Sequence, residues 1–118
     1  MAIRVKRAYD APERNDGYRI LVDRLWPRGI RKEDAGIDAW MKELAPSTDL
    51  RKWFDHDPDK WDEFRRRYFR ELEKKDEAMD QIIDRLADGR VTLVFGASDT
   101  DHNNAVALKE YLERRVGA

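Results

Sequence analysis

The stretch Tyr-Arg-Ile-Leu-Val-Asp-Arg-Leu-Trp-Pro-Arg-Gly, residues 18–29, decides the fold of this chain. It begins with an unbroken apolar run at residues 20–22, which is typical of a strand buried on both faces of a sheet. The chain then changes into a loop, marked by proline and glycine, that carries Asp23, Arg24 and Arg28. Because ligands of open α/β sheets bind beyond the carboxyl ends of the strands, we expect a functional site at this loop.

Two further segments complete the predicted sheet. Residues 91–95 form a second apolar run, too short for a helix and rich in β-branched and aromatic side chains. Residues 3–8 alternate between apolar and charged, which is typical of a half-exposed strand near a sheet edge. We therefore predict an α/β protein with a small, layered, Rossmann-like fold, whose three to four strands form a mixed or mostly parallel sheet with helices packed on it. Segments 18–24 and 91–95 would form its central parallel pair, and segment 3–8 would run antiparallel to one of them.

The remaining apolar residues recur at helical spacing. A stripe at i, i+3, i+4 and i+7 predicts a helix between Asp34 and Leu44, ended by the proline that follows it. Its members are Ile37, Trp40, Met41 and Leu44. Further helices, each with an apolar stripe, are predicted to begin at Ser47 or Thr48, at Asp57, before Met79 and at Asn103. The charged segment 73–77 either continues the longest helix or marks a joint.

Length and charge bound the class of protein. The 118 residues predict one domain that spans residues 1–118. The 24 Lys and Arg residues nearly balance 25 Asp and Glu residues and leave a net charge of -1, so no global field recruits nucleic acid or an anionic membrane. No run approaches the ~20 apolar residues of a membrane span, and no apolar signal core begins the chain. We therefore expect a soluble cytoplasmic protein.

The lack of cysteine excludes several kinds of chemistry. Disulfides, thiolate metal sites and thiol nucleophiles are all impossible in this chain. His56, within Asp-His-Asp-Pro-Asp, could join carboxylates around a metal ion, but the start of a helix at Asp57 and Pro58 accounts for the same residues. We predict no metal site and no cofactor.

The loops after the two central strands form the candidate site. If these strands are parallel neighbours, segments 23–31 and 96–104 meet in one crevice. Guanidinium groups match phosphate or carboxylate in a bidentate manner, so the arginines of the first loop are predicted to hold an anionic small molecule or nucleotide-like group. The candidate ligand-binding residues are Asp23, Arg24, Trp26, Arg28, Ser98 and Asn103. The candidate catalytic residues are His102 and Asp99, which would supply any proton transfer.

Each candidate has a role, and most have a structural alternative. Asp23 would orient an arginine, and Trp26 would stack on a ligand. The arginines could instead pair with some of the 25 acidic residues. His102 could be a surface histidine, and Asp101 or Asn103 could simply cap the last helix. Convergence of unpaired arginines with His102 would therefore favour the crevice hypothesis.

Two other function classes stay open. The long helix carries the chain's only dense basic run, which consists of Arg65, Arg66, Arg67 and Arg70. Such runs usually form a solvated face neutralised by acidic residues at i±4, whereas a nucleic-acid-binding or regulatory protein would use them in strongly salt-dependent binding. The third class is an interaction module with Trp26 or Trp53 on its partner face.

Four motifs resemble the YeaO-like family of small uncharacterised bacterial proteins. They are VDRLWPRG at 22–29, APSTDLRKWF at 45–54, His-Asp-Pro followed by Trp61 and Phe64, and VTLVFGA followed by HNNA. The resemblance covers nearly the whole chain. It implies a domain of unknown function.

The wider relatives resemble small Rossmann-like domains in which one strand ends at Asp-x-Arg, a cysteine follows the last strand, and Cys-His-Arg precedes the final helix. This chain keeps an acidic and a basic residue at Asp23 and Arg24, but Gly96 follows its last strand without a cysteine. His102 begins His-Asn-Asn where Cys-His-Arg would stand. The resemblance therefore implies the crevice of those domains without their cysteine-dependent sulfur or phosphoryl transfer.

Overall fold

A computed structural model describes residues 2–117, and its four strands form one sheet. The strands are β1 (Ile3–Arg7), β2 (Tyr18–Leu21), β3 (Ala39–Trp40) and β4 (Val91–Phe95). They lie in the order β1-β4-β2-β3, and every neighbouring pair is parallel. The prediction of a central parallel pair is confirmed, because β2 and β4 are adjacent inner strands. Strand β1 lies at an edge, as the alternation of residues 3–8 predicted.

Between residues 2 and 117, five α-helices accompany the sheet. They are α1 (Lys32–Ala35), α2 (Thr48–Phe54), α3 (Trp61–Leu72), α4 (Asp76–Asp88) and α5 (Asn104–Gly117). Three turns of 3-10 helix lie at Arg14–Asp16, Lys42–Leu44 and Pro58–Lys60. The Ser47 side chain caps α2 by accepting a hydrogen bond from the Leu50 N–H, and Asp57 caps the turn that leads into α3. The charged segment is a joint, since α3 ends before it and α4 begins within it. None of the helices within residues 2–117 has the length and apolar character needed to cross a bilayer.

The main core lies between one face of the sheet and the long helices. Successive strand residues point to opposite faces, so alternate residues of β1, β4 and β2 share this face. They are Ile3, Val91, Leu93, Phe95 and Ile20, and Val22 directly after β2 joins them. The helices add buried residues such as Phe64, Tyr68, Ile82 and Leu108. Helix α5 packs directly on β1 and β4.

The opposite face of the sheet carries a buried charge cluster that the sequence did not predict. Arg19 lies on β2 and is 3% exposed, and Asp16 is completely buried. Their ion pair joins Nη1 of Arg19 to Oδ2 of Asp16 over 2.6 Å. Lys6 of β1 approaches the same carboxylate at 3.1 Å, and Arg19 also donates hydrogen bonds to the carbonyls of Ala35 and Gly36. The apolar run that follows Arg19 is therefore buried on both faces, as expected, but one face is partly polar.

The prediction that segment 3–8 runs antiparallel to a neighbour is wrong. The residues of β1 pair in parallel register with β4, from Ile3 opposite Val91 to Arg7 opposite Phe95. Because β4 lies between β1 and β2, the polar segment between these two strands cannot form a hairpin. It runs back along the sheet, and the Thr92 hydroxyl donates to the carbonyl of Asp16 within it.

The predicted helix between Asp34 and Leu44 is also wrong. Within this segment, α-helix is present only at the end of α1, and Lys42–Leu44 forms a single turn of 3-10 helix. Gly36, directly after α1, adopts a left-handed conformation with φ of 61°. The chain then adds β3 to the open edge of β2, where the Met41 N–H donates to the carbonyl of Leu21 over 3.0 Å. A free strand edge offers backbone partners that are far away in sequence, and this overrides the local helical spacing.

Candidate functional site

A cavity of about 580 Å³ opens beyond the carboxyl ends of β1, β2 and β4. Each of these strands leads into its wall: Tyr9 follows β1, residues 23–28 follow β2, and Gly96 and Ala97 follow β4. Helices α2, α3 and α5 supply Arg51, Phe54, Phe64 and Asn104, and connecting segments add Ala45, Pro46, His56, His102 and Asn103. The cavity therefore lies where the parallel arrangement of the two central strands places their loops together.

The structure brings most of the candidate residues to this cavity. Those that line it are Asp23, Arg24, Trp26, Arg28, His102 and Asn103. Ser98 and Asp99 do not line it. Asp99 still contacts the site, because its carboxylate lies 3.0 Å from Nδ1 of His102. Ser98 is exposed away from the cavity.

Three arginines line the cavity, one more than the sequence indicated. Arg24 and Arg28 come from the loop after β2, and Arg51 comes from α2. All three are exposed, and within residues 2–117 none has an ion pair or a side-chain hydrogen bond. Asp23, which precedes Arg24 in the chain, accepts hydrogen bonds from Gly96 and Asn104.

Asp23 connects the two loops that line the cavity. Within residues 2–117, its carboxylate makes no ion pair with an arginine, the partner that the sequence predicted for it. It accepts hydrogen bonds from the Gly96 N–H at 2.8 Å and from Nδ2 of Asn104 at 3.1 Å, and so ties the loop after β2 to the loop after β4. Burial raises the pKa of Asp23 above its usual value, although these two hydrogen bonds and the positive charge of Arg51 oppose the rise. A Cβ added to Gly96 would lie 3.2 Å from the Asp23 carboxylate, so a side chain there would crowd this contact.

His102 forms a fixed pair with Asp99. Its Nδ1 lies 3.0 Å from the Asp99 carboxylate, and its ring packs edge-on against Trp61 with centroids 5.4 Å apart. The N–H of Asp101, above all, and the His102 ring hold the pKa of Asp99 below its usual value. With Nδ1 engaged, Nε2 is the ring nitrogen that remains for a bound molecule. The arrangement can position an imidazole for proton transfer.

Besides Asp23, two further candidate ligand-binding side chains are engaged within the protein. Asn103 is 3% exposed. It caps α5, since its Oδ1 accepts a hydrogen bond from the Val106 N–H at 3.0 Å while its Nδ2 donates to the carbonyl of Asp99. The Trp26 indole donates to the carbonyl of Ile30 at 2.6 Å and packs edge-on against Trp40. Trp26 therefore presents only part of its ring to the cavity.

Sequence reasoning missed Tyr9, Arg51 and His56 as lining residues. His56, with the preceding Asp55, has a positive φ, at 56° and 47° respectively, a backbone conformation that costs about 1 kcal/mol or more in a residue other than glycine. Within residues 2–117, no three His, Asp or Glu side chains cluster closely enough to hold a metal ion. The one sequence signal for Arg51 was its place in the motif at 45–54, and Tyr9 directly follows the predicted first strand.

The basic run on α3 is largely neutralised. Arg65 is bound to Glu110 and Asp62, and both Arg66 and Arg67 are bound to Glu63. The guanidinium of Arg67 also lies over the ring of Trp53, 4.2 Å from its centroid. Arg70 is exposed and, within the described residues, has no ion pair. Acidic neighbours thus neutralise most of this basic run, as the helical spacing predicted.

Fold and cavity together define a class: a small, all-parallel α/β protein with an arginine-lined crevice beyond its strands and no cysteine in the chain. Within that class the chain belongs to the family described as the inactive DUF488-N3 subclade, whose profile matches residues 2–118. It is 44% identical over 112 residues to the uncharacterised protein YeaO of Escherichia coli K12, an alignment that covers 95% of this chain and 97% of YeaO. This confirms the YeaO-like resemblance found in the sequence.

A mycobacterial relative extends the comparison. The chain is 38% identical over 113 residues to the uncharacterised protein Rv3073c of Mycobacterium tuberculosis H37Rv, which covers 96% of this chain and 95% of the relative. No solved structure matches the chain. The relatives therefore show the family of the chain, but their descriptions name no activity.

Proposed function

We propose that the cavity beyond β1, β2 and β4 binds an anionic small molecule, held by Arg24, Arg28 and Arg51. The observation that carries this proposal is that all three arginines line one cavity and none has an ion pair within residues 2–117. Guanidinium groups bind phosphate and carboxylate through paired N–H donors, so three of them around one space suit an anion with several oxygens.

The charge of the cavity supports the same conclusion. Asp23 is the acidic residue in its wall, and its carboxylate is occupied by the Gly96 N–H and by Asn104. The three guanidinium groups in the wall also outnumber this one carboxylate. The net potential of the cavity is therefore positive, although the chain as a whole carries a net charge of -1.

Binding without turnover is the version that the family description favours, since the subclade is described as inactive. The chain also lacks a thiol nucleophile. A catalytic version would depend on His102, positioned by Asp99. It predicts that His102→Ala abolishes turnover of the bound molecule without weakening its binding.

A thermal-shift and calorimetric screen tests the proposal. Wild-type protein is titrated with inorganic phosphate, sulfate, small carboxylates and nucleotides at low and moderate salt. Ligand at about 100 times its Kd adds about 2.7 kcal/mol to the free energy of unfolding, a rise of several degrees in the melting temperature of a domain of this size. We expect a shift from one class of anion, and we expect Arg51→Ala or Arg28→Ala to weaken that binding at least about tenfold.

Arg70→Ala is the matched control, because Arg70 is also an exposed arginine without an ion pair in the described residues but lies outside the cavity. It should leave anion binding unchanged. Equal loss in Arg70→Ala and Arg51→Ala would mean that only general positive charge matters. Salt-sensitive binding of short nucleic acids that requires Arg70 but not Arg51 would replace this proposal with a nucleic-acid-binding function on α3.

A further inference from the structure

We infer that the ligand of this cavity is a phosphate ester that also carries a planar aromatic or heteroaromatic ring, and that this ring lies against Tyr9. The inference rests on the proposed anion-binding function and adds the chemistry of the rest of the molecule. It concerns a wall of the cavity to which neither the sequence nor the family assigns a role.

Exposed apolar side chains are concentrated at this cavity. Within residues 2–117, the large apolar side chains that stand exposed are Tyr9, at 46%, and Leu25, at 64%, and both line it. Single exposed apolar residues scattered over a surface need no explanation, whereas two at one concave site mark a surface that a partner molecule covers. An inorganic anion would leave both of them in water.

The ring of Tyr9 is held rigidly although it is half exposed. The guanidinium of Arg7 lies over the ring, 5.0 Å from its centroid, and the hydroxyl of Tyr9 donates a hydrogen bond to the carbonyl of Arg28 at 3.0 Å. A fixed aromatic ring loses little conformational entropy when a second ring stacks on it. The same hydrogen bond places this ring beside the backbone of an anion-binding arginine, so one molecule can reach both.

The cavity is larger than an anion requires. Its volume of about 580 Å³ falls in the range of about 300–1,000 Å³ that is usual for sites of drug-sized molecules. The buried rings of Phe54 and Phe64 add further apolar surface to its wall. Three guanidinium groups at one site favour a phosphate, which has more acceptor oxygens than a carboxylate. A phosphate joined to a flat ring therefore matches both the arginines and the apolar side chains of the cavity.

Isothermal titration with a graded set of probes tests the inference. The probes are inorganic phosphate, ribose 5-phosphate, adenosine 5′-monophosphate and phenyl phosphate, each titrated into the wild type, Tyr9→Ala and Tyr9→Phe. We expect at least one ring-bearing probe to bind about tenfold or more tightly than ribose 5-phosphate, as base stacking on an aromatic side chain provides. We expect Tyr9→Ala to abolish most of that advantage, and Tyr9→Phe to keep it because the ring remains.

The outcomes separate this inference from the proposed function. Binding of phosphate and ribose 5-phosphate with no gain from either ring would overturn the inference and leave the anion site intact. A gain that persists in Tyr9→Ala would also overturn it. No binding of any probe would overturn the inference, and the proposed anion site would be refuted as well if sulfate and small carboxylates also failed to bind. Preference for adenosine 5′-monophosphate would identify a nucleotide source, and preference for phenyl phosphate would identify a ring attached directly to the phosphate.

Discussion

Asp16 and Asp23 flank the same central strand, β2, but their carboxylates have different partners. Before the strand, Asp16 is completely buried and bound by Arg19 and Lys6, so that cations and carboxylate neutralise one another. After the strand, Asp23 binds backbone and amide groups, while the cavity arginines have no ion pair within residues 2–117. Charges that are buried and paired are thus separated along the strand from charges that stay exposed at the cavity.

The difference has an energetic reason. A buried ion must be paired, because an isolated charge in the protein interior is strongly unfavourable. An exposed arginine keeps its hydration and needs no partner. The end of the sheet before β2 is therefore fixed by its own charges, and the crevice at the other end can exchange water for an anion. Four measurements can break or sharpen this comparison.

Removal of the buried carboxylate should have the largest effect. Asp16→Ala leaves Arg19 buried without its ion pair, and breaking such a pair typically costs about 3–5 kcal/mol of the free energy of unfolding. Urea denaturation measures this loss. Asp34→Ala, an exposed acid on α1, is the control and should change stability by no more than about 0.5 kcal/mol. A cost below about 1 kcal/mol for Asp16→Ala would mean that the buried cluster is not what stabilises this end.

Two glycines provide the next contrast. Gly17 has φ of 68°, and a Cβ added there would lie 2.2 Å from the carbonyl oxygen of Arg90, whereas Gly29 in the cavity loop has φ of 82° and open space around it. Gly29→Ala should cost only the left-handed backbone penalty of about 1–2 kcal/mol. Gly17→Ala should cost clearly more, because the backbone must also shift. Equal losses in thermal denaturation would contradict the tighter packing before β2.

The pKa values of the two aspartates should be shifted from the ordinary value in opposite directions. Burial alone would raise the pKa of Asp16, but hydrogen bonds from the Glu13 N–H, Lys6 and Arg19 outweigh this effect and lower the pKa. The pKa of Asp23 is raised, because burial is the larger effect there. The stabilisation by Asp16 is therefore present above its unfolded pKa of about 3.9 and is lost as the pH falls through its folded pKa. The ionised form of Asp23 costs stability, and this cost disappears as the pH falls through its raised pKa.

Carbon-13 NMR of the two carboxyl groups measures both pKa values directly. The midpoint for Asp16 should lie below about 3.9, and that for Asp23 above it. Asp23→Asn provides the assignment control, since it removes one titration and leaves the other. Midpoints in the reverse order would contradict the balance between burial and hydrogen bonding described for the two carboxylates.

The smallest effect on stability is expected at the cavity. Arg24→Ala, Arg28→Ala and Arg51→Ala remove exposed side chains without an ion pair in the described residues, so each should change the free energy of unfolding by less than about 0.5 kcal/mol. Arg19→Ala, the buried counterpart, should cost several times more. Chemical denaturation compares all four. A cavity arginine whose loss cost more than about 1 kcal/mol would belong to the fold and not to a binding site.

Features that depend on neighbouring residues could be read from the sequence. The apolar runs of β2 and β4, the cap at Ser47, the start of a helix at Asp57 and the joint after Leu72 all follow from local spacing and local hydrogen bonding. The loops after the two central strands also follow, because parallel strands place their carboxyl ends together. Most candidate residues of the crevice were found for that reason.

Tertiary structure decided the rest, because the decisive contacts join residues far apart in the chain. Asp23 accepts a hydrogen bond from Gly96, 73 positions away, a contact that local spacing does not predict. Pairing with the free edge of β2 places Trp40 in strand β3 and not in a helix. The packing of α2 over the ends of the strands brings Arg51 to the cavity. Local patterns therefore determine most of the strands and helices but not β3, whereas only the packed chain determines which charges are neutralised and which stay exposed at the cavity.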